Sequence, residues 1–257
     1  MQVSGLNQAG AAMRIVLCGL ALLLAALSAA IPAAIAHPSE IIILRHPEKV
    51  DQLRLCTTGR DRTEALAQQY LGKHATQSLF PPGVTPAAFL AITIHSLELA
   101  TPAADSWNLP VTTYSVLPAH DKTTFTRELN SATRSAARKV MSDPSYTGKP
   151  VVMVWEHNHI ANAWLAFKFR AKPVTLRQLL NLGHLRGVPR YWPAQTYDYF
   201  WIVKFDNPAS DIPTGFQMVK QVFQPPYNHL PQNDWGADEP SGVQADCIKV
   251  GPDYLAY

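Results

Sequence analysis

Residues 41–46 read Ile-Ile-Ile-Leu-Arg-His, and residues 151–157 read Val-Val-Met-Val-Trp-Glu-His. Each is an apolar run that ends in a histidine beside a charged neighbour. A buried strand has no use for ionisable groups at its tip unless they meet something there. A neutral imidazole is a nucleophile, and a protonated one is a hydrogen-bond donor. The guanidinium of Arg45 is a rigid fork of donors suited to phosphate. Arg62 offers a second fork, in the first turn expected for the helix that follows Gly59. A cation there opposes the positive end of the helix dipole, and an anion bound between helix start and strand tips would relieve the conflict. His95 ends a further apolar run, Ala-Phe-Leu-Ala-Ile-Thr-Ile. Together these residues could hold a small anionic group and attack it with a histidine.

Elements must bring them together. The pattern predicts a first strand at about 40–45 and a helix from Leu55, with Thr57 or Thr58 as its cap. A second strand is expected near 90–95, after Pro81, Pro82 and Pro86 break the chain. A short helix at 101–109 and a short strand at 111–116 follow. Then come a long amphipathic helix from Lys122, a buried strand ending near Trp155, and a helix over 161–169. Two late strands, 196–206 and 215–224, read as a hairpin-like pair. The tail beyond Pro225 looks irregular. Strands alternate with helices for most of the length, which predicts one α/β domain. Such sheets take ligands beyond the C-terminal ends of their strands, where Arg45-His46 and Glu156-His157 lie.

The stretches Leu-Arg-His-Pro-Glu-Lys, Leu-Cys-Thr-Thr-Gly-Arg-Asp-Arg-Thr-Glu-Ala-Leu and Val-Val-Met-Val-Trp-Glu-His-Asn-His-Ile resemble the histidine phosphatase superfamily, also called phosphoglycerate-mutase-like. The resemblance runs in order from residue 40 to about 205. It implies a three-layer α/β/α sandwich on a mostly parallel sheet, and a phosphohistidine intermediate. Carried over, His46 is the nucleophile, Arg45 and His157 bind the transferred phosphate, and Arg62 matches the Arg of the family's Gly-x-x-Arg helix. It implies a small phosphorylated or anionic substrate, no cofactor and no metal. Phosphoryl transfer needs these types, because it depends on positioning and on stabilising charge spread over three oxygens.

The departures from the pattern are specific. Pro47 replaces the usual Gly and removes a backbone donor. No Arg stands between Lys73 and Lys122, where many members carry one. His95 falls close to that place and is expected as a weaker, pH-dependent cation. Asn158 stands where the acid phosphatase branch has an Asp proton donor. Glu48, Asp121, Glu128 and Glu156 remain as donors, with Glu48, Glu156 and His95 placed on the substrate side. Glu156 adjoins His157, so it should point to the opposite face unless the strand has ended. Two readings follow: an exported phosphatase acting through His46, or a degenerate relative that binds an anionic ligand without turnover. A zinc reading of His157 and His159, with His184 or His120 as third ligand, is disfavoured by the surrounding Arg cations.

The chain has 257 residues, 47% hydrophobic and 16% charged, with a net charge of +3. That suffices for a core and argues against nucleic acid or an anionic membrane as partner. Residues 1–36 read as a secretory signal peptide, with Met13 as a possible start and Ala34-Ile35-Ala36 as the cleavage signature. The other reading is an uncleaved anchor, since the apolar run could span a bilayer. Cleavage would leave a single domain, 37–257, secreted or periplasmic and without a membrane partner. Its two cysteines, Cys56 and Cys247, either form a disulfide or stay as thiols. Nothing in the sequence speaks to oligomeric state.

Overall fold

The computed structural model describes residues 37–114, 116–118, 121–207 and 210–248. The leader expected over 1–36 and His120 lie outside them. Among the described residues no helix is long and apolar enough to cross a membrane.

Six strands form one sheet in the spatial order β3-β2-β4-β1-β5-β6. They are β1 (Glu40–Arg45), β2 (Ala88–Ala91), β3 (Val111–Thr113), β4 (Pro150–Trp155), β5 (Tyr199–Lys204) and β6 (Gly215–Lys220). The first four run parallel, whereas β5 and β6 are antiparallel to their neighbours. The helices that matter here are α1 (Thr57–Leu66), α2 (Ile94–Ser106), α3 (Lys122–Ser142), α4 (His157–Ile160), α5 (Ala163–Lys168) and α6 (Leu176–Leu179).

A central parallel strand must be apolar on both faces, because helices cover both. In β1, Ile41 and Ile43 join the core under α3 and α6, while Ile42 and Leu44 join the core under α1 and α2. All four are fully buried, each worth about 1.5–3 kcal/mol. The result is a three-layer α/β/α sandwich on a mostly parallel sheet, as expected.

Two expectations shift. The second strand ends at Ala91 rather than near residue 95, because Thr93 caps α2 by accepting from the backbone N–H of Ser96. The helix expected at 101–109 therefore begins at Ile94 and runs through Pro102 to Ser106. The cap of α1 is Cys56, whose side chain makes no cap bond. Thr57 and Thr58 instead meet the tail: Thr57 donates through N and Oγ1 to Asp246, and Thr58 Oγ1 accepts from Gln244 N.

Candidate active site

The register places the two strand-end histidines side by side. Arg45 of β1 is paired with Trp155 of β4, and His46 N donates to Trp155 O at 3.1 Å. The ladder thus continues one residue past β1 and sets the His46 backbone beside the end of β4. Because β5 is antiparallel, its start lies at the same end, with Leu44 opposite Phe200. The chain entering β5, residues 193–198, is thereby led into the site.

All seven residues singled out from the sequence are buried: Arg45, His46, Glu48, Arg62, His95, Glu156 and His157. His46 Nδ1 lies 2.8 Å from the carbonyl oxygen of Pro47. A carbonyl only accepts, so Nδ1 carries the ring proton and Nε2 keeps its lone pair. Burial, reinforced by the charges of Arg45 and Lys49, holds the His46 pKa well below the usual imidazole range. The ring is therefore a neutral base with its nucleophilic nitrogen free of the proton. Pro47 lacks an N–H, yet its carbonyl fixes the tautomer.

Arg45 is anchored on the β5 approach. Nη1 donates to the carbonyls of Ala194 and Pro193, and Nη2 donates to the Tyr197 hydroxyl at 3.2 Å. Its guanidinium carbon stacks 3.9 Å from the centre of the Tyr197 ring. Arg45 Nε is buried and has no partner among the described residues. Arg62 falls in the second turn of α1, not the first. The anion it faces is a protein carboxylate: Nε and Nη2 donate to Glu48 at 3.0 and 2.7 Å, and Nη2 also reaches Pro231 O. Burial disfavours this cation, but the charge and hydrogen bonds of Glu48 outweigh it and raise its pKa. Arg62 Nη1 is likewise buried without a partner among the described residues. Two guanidinium groups thus each keep an unanswered buried donor, a costly state unless an acceptor arrives.

His95 sits in the first turn of α2 rather than at a strand tip. Its ring centre is 5.6 Å from that of His46, and its Nε2 lies 2.8 Å from Asp51 O. Burial, with the charge of Lys49, lowers its pKa to about 4. It is therefore neutral near pH 7 and supplies no cation in place of the missing Arg. Lys49, whose charge is felt by His46, His95 and His157, is the cation on that side.

The strand does end before Glu156, which is the N-cap of α4 and so turns back toward the histidines. Its Oε1 lies 2.7 Å from His157 Nδ1, and its Oε2 lies 2.8 Å from His159 Nδ1. His157 and His159 thus share a carboxylate, while His184 sits apart against Pro213 O. Among the described residues the one group with metal-ligand spacing is Cys56, Asp246 and Cys247, and its two sulfurs are joined as a disulfide.

Tyr197 and Lys49 escaped the sequence reading. Tyr197 lies in an aromatic run that packs a core equally well, and only the direction of β5 brings it to Arg45. Lys49 was in plain view three residues past His46, but nothing in the spacing turns it inward.

No family model and no curated protein matches the sequence. Among solved structures, mycobacterial glucosyl-3-phosphoglycerate phosphatase is 15% identical with a TM-score of 0.39, over 71% of this chain and 98% of its own. Its complex with VO3 is 16% identical with a TM-score of 0.36, over 71% and 99%. Mycobacterial hydrolase 2 is 13% identical with a TM-score of 0.36, over 84% and 94%. The functional reading rests on this chain's own residues.

Proposed function

We propose that the chain is an exported phosphatase that hydrolyses a phosphomonoester through a phosphohistidine intermediate on His46. One observation carries the reading. A neutral His46 with its lone pair on Nε2 stands in a buried site where Arg45 Nε and Arg62 Nη1 lack acceptors. A phosphoryl group supplies the missing acceptors and the electrophile together. Arg45 and His157 would neutralise its charge, with Arg62 behind them. The resemblance of the three sequence stretches to histidine phosphatases supports the same roles. The disulfide supports export, since such bonds persist in oxidising compartments.

The second reading, a binder without turnover, also has an observation in its favour. Glu48 neutralises much of the Arg62 charge, and the β5 approach occupies most of Arg45. Mass spectrometry of the protein with para-nitrophenyl phosphate, with release followed from acid to neutral pH, separates the two. Turnover and an acid-labile phosphate adduct, both lost in His46→Ala, are expected. Saturable phosphate binding with neither adduct nor release would establish the binder.

A further inference from the structure

We propose that the chain carries a second binding site, for an organic oxyanion on an apolar stem, in a cavity between the start of α3 and the end of α5. The inference goes beyond the phosphatase reading and does not depend on turnover at His46.

The cavity measures about 330 Å³, within the range of small-molecule sites. Its place follows from β4. The helix α4 starts just beyond the strand tip, and α5 begins two residues after α4 ends. Asn130 of α3 forms part of the cavity floor and ties α3 to α4 through His159. The cavity thus lies beside the sheet edge that carries His46 and His157. A single side chain separates its floor from Glu156. That side chain is His159, fully buried, with Nε2 3.0 Å from Asn130 Oδ1 and Nδ1 2.8 Å from Glu156 Oε2. Glu156 Oε1 in turn lies 2.7 Å from His157 Nδ1.

Three cations, Lys122, Arg127 and Lys168, line the cavity, and no carboxylate does among the described residues. The acids at this end of α3 stand outside the lining. Asp121 Oδ1 caps the helix by accepting from Thr124 N at 2.8 Å, and Glu128 is exposed. Exposed cations alone are an ordinary solvated surface. Two further observations set this cluster apart.

The first is Asn130, only 5% exposed. An amide has two polar ends, and His159 answers one of them. The other end, Nδ2, has no partner among the described residues. A buried amide donor without a partner is costly, and an oxyanion entering the cavity would supply the acceptor. The second is Lys168. Its Nζ lies 4.8 Å from the centre of the Trp164 ring and 5.6 Å from that of Phe169. Two aromatic faces, and no carboxylate among the described residues, hold this ammonium at the rim. The charge is therefore positioned without being neutralised.

The remaining lining specifies the stem. Leu165 is buried in the floor and Phe169 is half-buried in the wall, so one side of the cavity is apolar. Thr126 is also in the lining, but its hydroxyl already donates to Lys122 O. A bare inorganic ion would leave the apolar side unused. A carboxylate or phosphate group carried on an aromatic or aliphatic body uses both sides.

The test is NMR titration with benzoate and with phenylphosphonate, which carry an oxyanion on an aromatic stem and have no ester to cleave. Benzyl alcohol is the neutral control. Saturable shifts of the Asn130 side-chain amide and the Trp164 indole N–H are expected with an oxyanion and not with the alcohol. Lys168→Ala and Arg127→Ala alter exposed positions, so the core is spared. Each should weaken binding about tenfold, the usual worth of a charge-assisted contact. Hydrolysis of para-nitrophenyl phosphate then tells two sources of the anion apart. A KM that benzoate raises in the wild type but not in Lys168→Ala identifies the far end of the substrate itself. A KM unchanged with the cavity filled identifies a separate molecule, and either result upholds the site. No shift at Asn130 and Trp164, equal shifts with benzyl alcohol, or an affinity that both variants leave unchanged overturns it. The binding measurements need no phosphohistidine, so failure of the phosphatase reading would leave their outcome standing.

Discussion

Glu48 and Arg62 form a two-pronged pair with side chains 4% and 2% exposed. Their attraction must offset the desolvation of both ions, so the pair is weak evidence for stability in itself. Removal of one partner is a different matter, because the other charge is then buried alone. Glu48→Gln is expected to lower unfolding free energy by about 3–5 kcal/mol in urea titrations. The double variant Glu48→Gln/Arg62→Gln should lose clearly less than the sum of the two single losses. An additive pair of losses would mean that the two side chains act independently. The residue types Arg45, His46, Arg62 and His157 were legible from their places at strand and helix ends. Their partners were not, since Glu48 reads equally well as substrate contact, proton donor or counter-ion until the loop is seen folded back on α1.

The contact that folds this loop back belongs to an element, the start of α1. A Cβ on Gly59 would lie 2.0 Å from the backbone oxygen of Glu48. Neither backbone can yield without moving Glu48 and, two residues before it, His46. The Gly of Gly-x-x-Arg is thus required for close approach of the helix and the loop that follows His46. Gly59→Ala is expected to cost about 1–3 kcal/mol by urea titration, as overpacking does. It should also reduce phosphate release by more than that loss of folded protein explains. Full activity in Gly59→Ala would show that the loop can withdraw without consequence. The period of α3 was readable, and so were β1 and β4, short apolar runs closed by charged residues. The stretch Ala-Phe-Leu-Ala-Ile-Thr-Ile was not, because it is apolar throughout and hides the switch from strand to helix at Thr93. His95 moved with it, from a strand tip to a helix start, and lost the role of cation.

The tail from 221 to 248 has no helix or strand, yet it organises the site's outer wall. Pro231 O accepts from Arg62, Asn233 N donates to Asp198, and Ile248 N donates to Lys49 O. Asp246 answers the N-terminus of α1 through Thr57, a favourable place for an anion. The disulfide Cys56–Cys247 joins this strap to the same helix start across 191 residues of sequence. Composition alone left the pairing open, because sequence separation carries no distance. With both ends folded, the Cα atoms stand 5.1 Å apart. The cross-link restricts the unfolded chain, and its loss typically costs about 2–4 kcal/mol. Cys56→Ser/Cys247→Ser should therefore shift the urea midpoint downward by that equivalent, and a reductant should do the same to the wild type but not to the variant. Below its midpoint the variant should also bind inorganic phosphate more weakly, because Ile248 no longer holds Lys49 beside His46 and His95. Unchanged phosphate affinity with the stability loss intact would confine the strap to folding and leave the Lys49 charge anchored by its own loop.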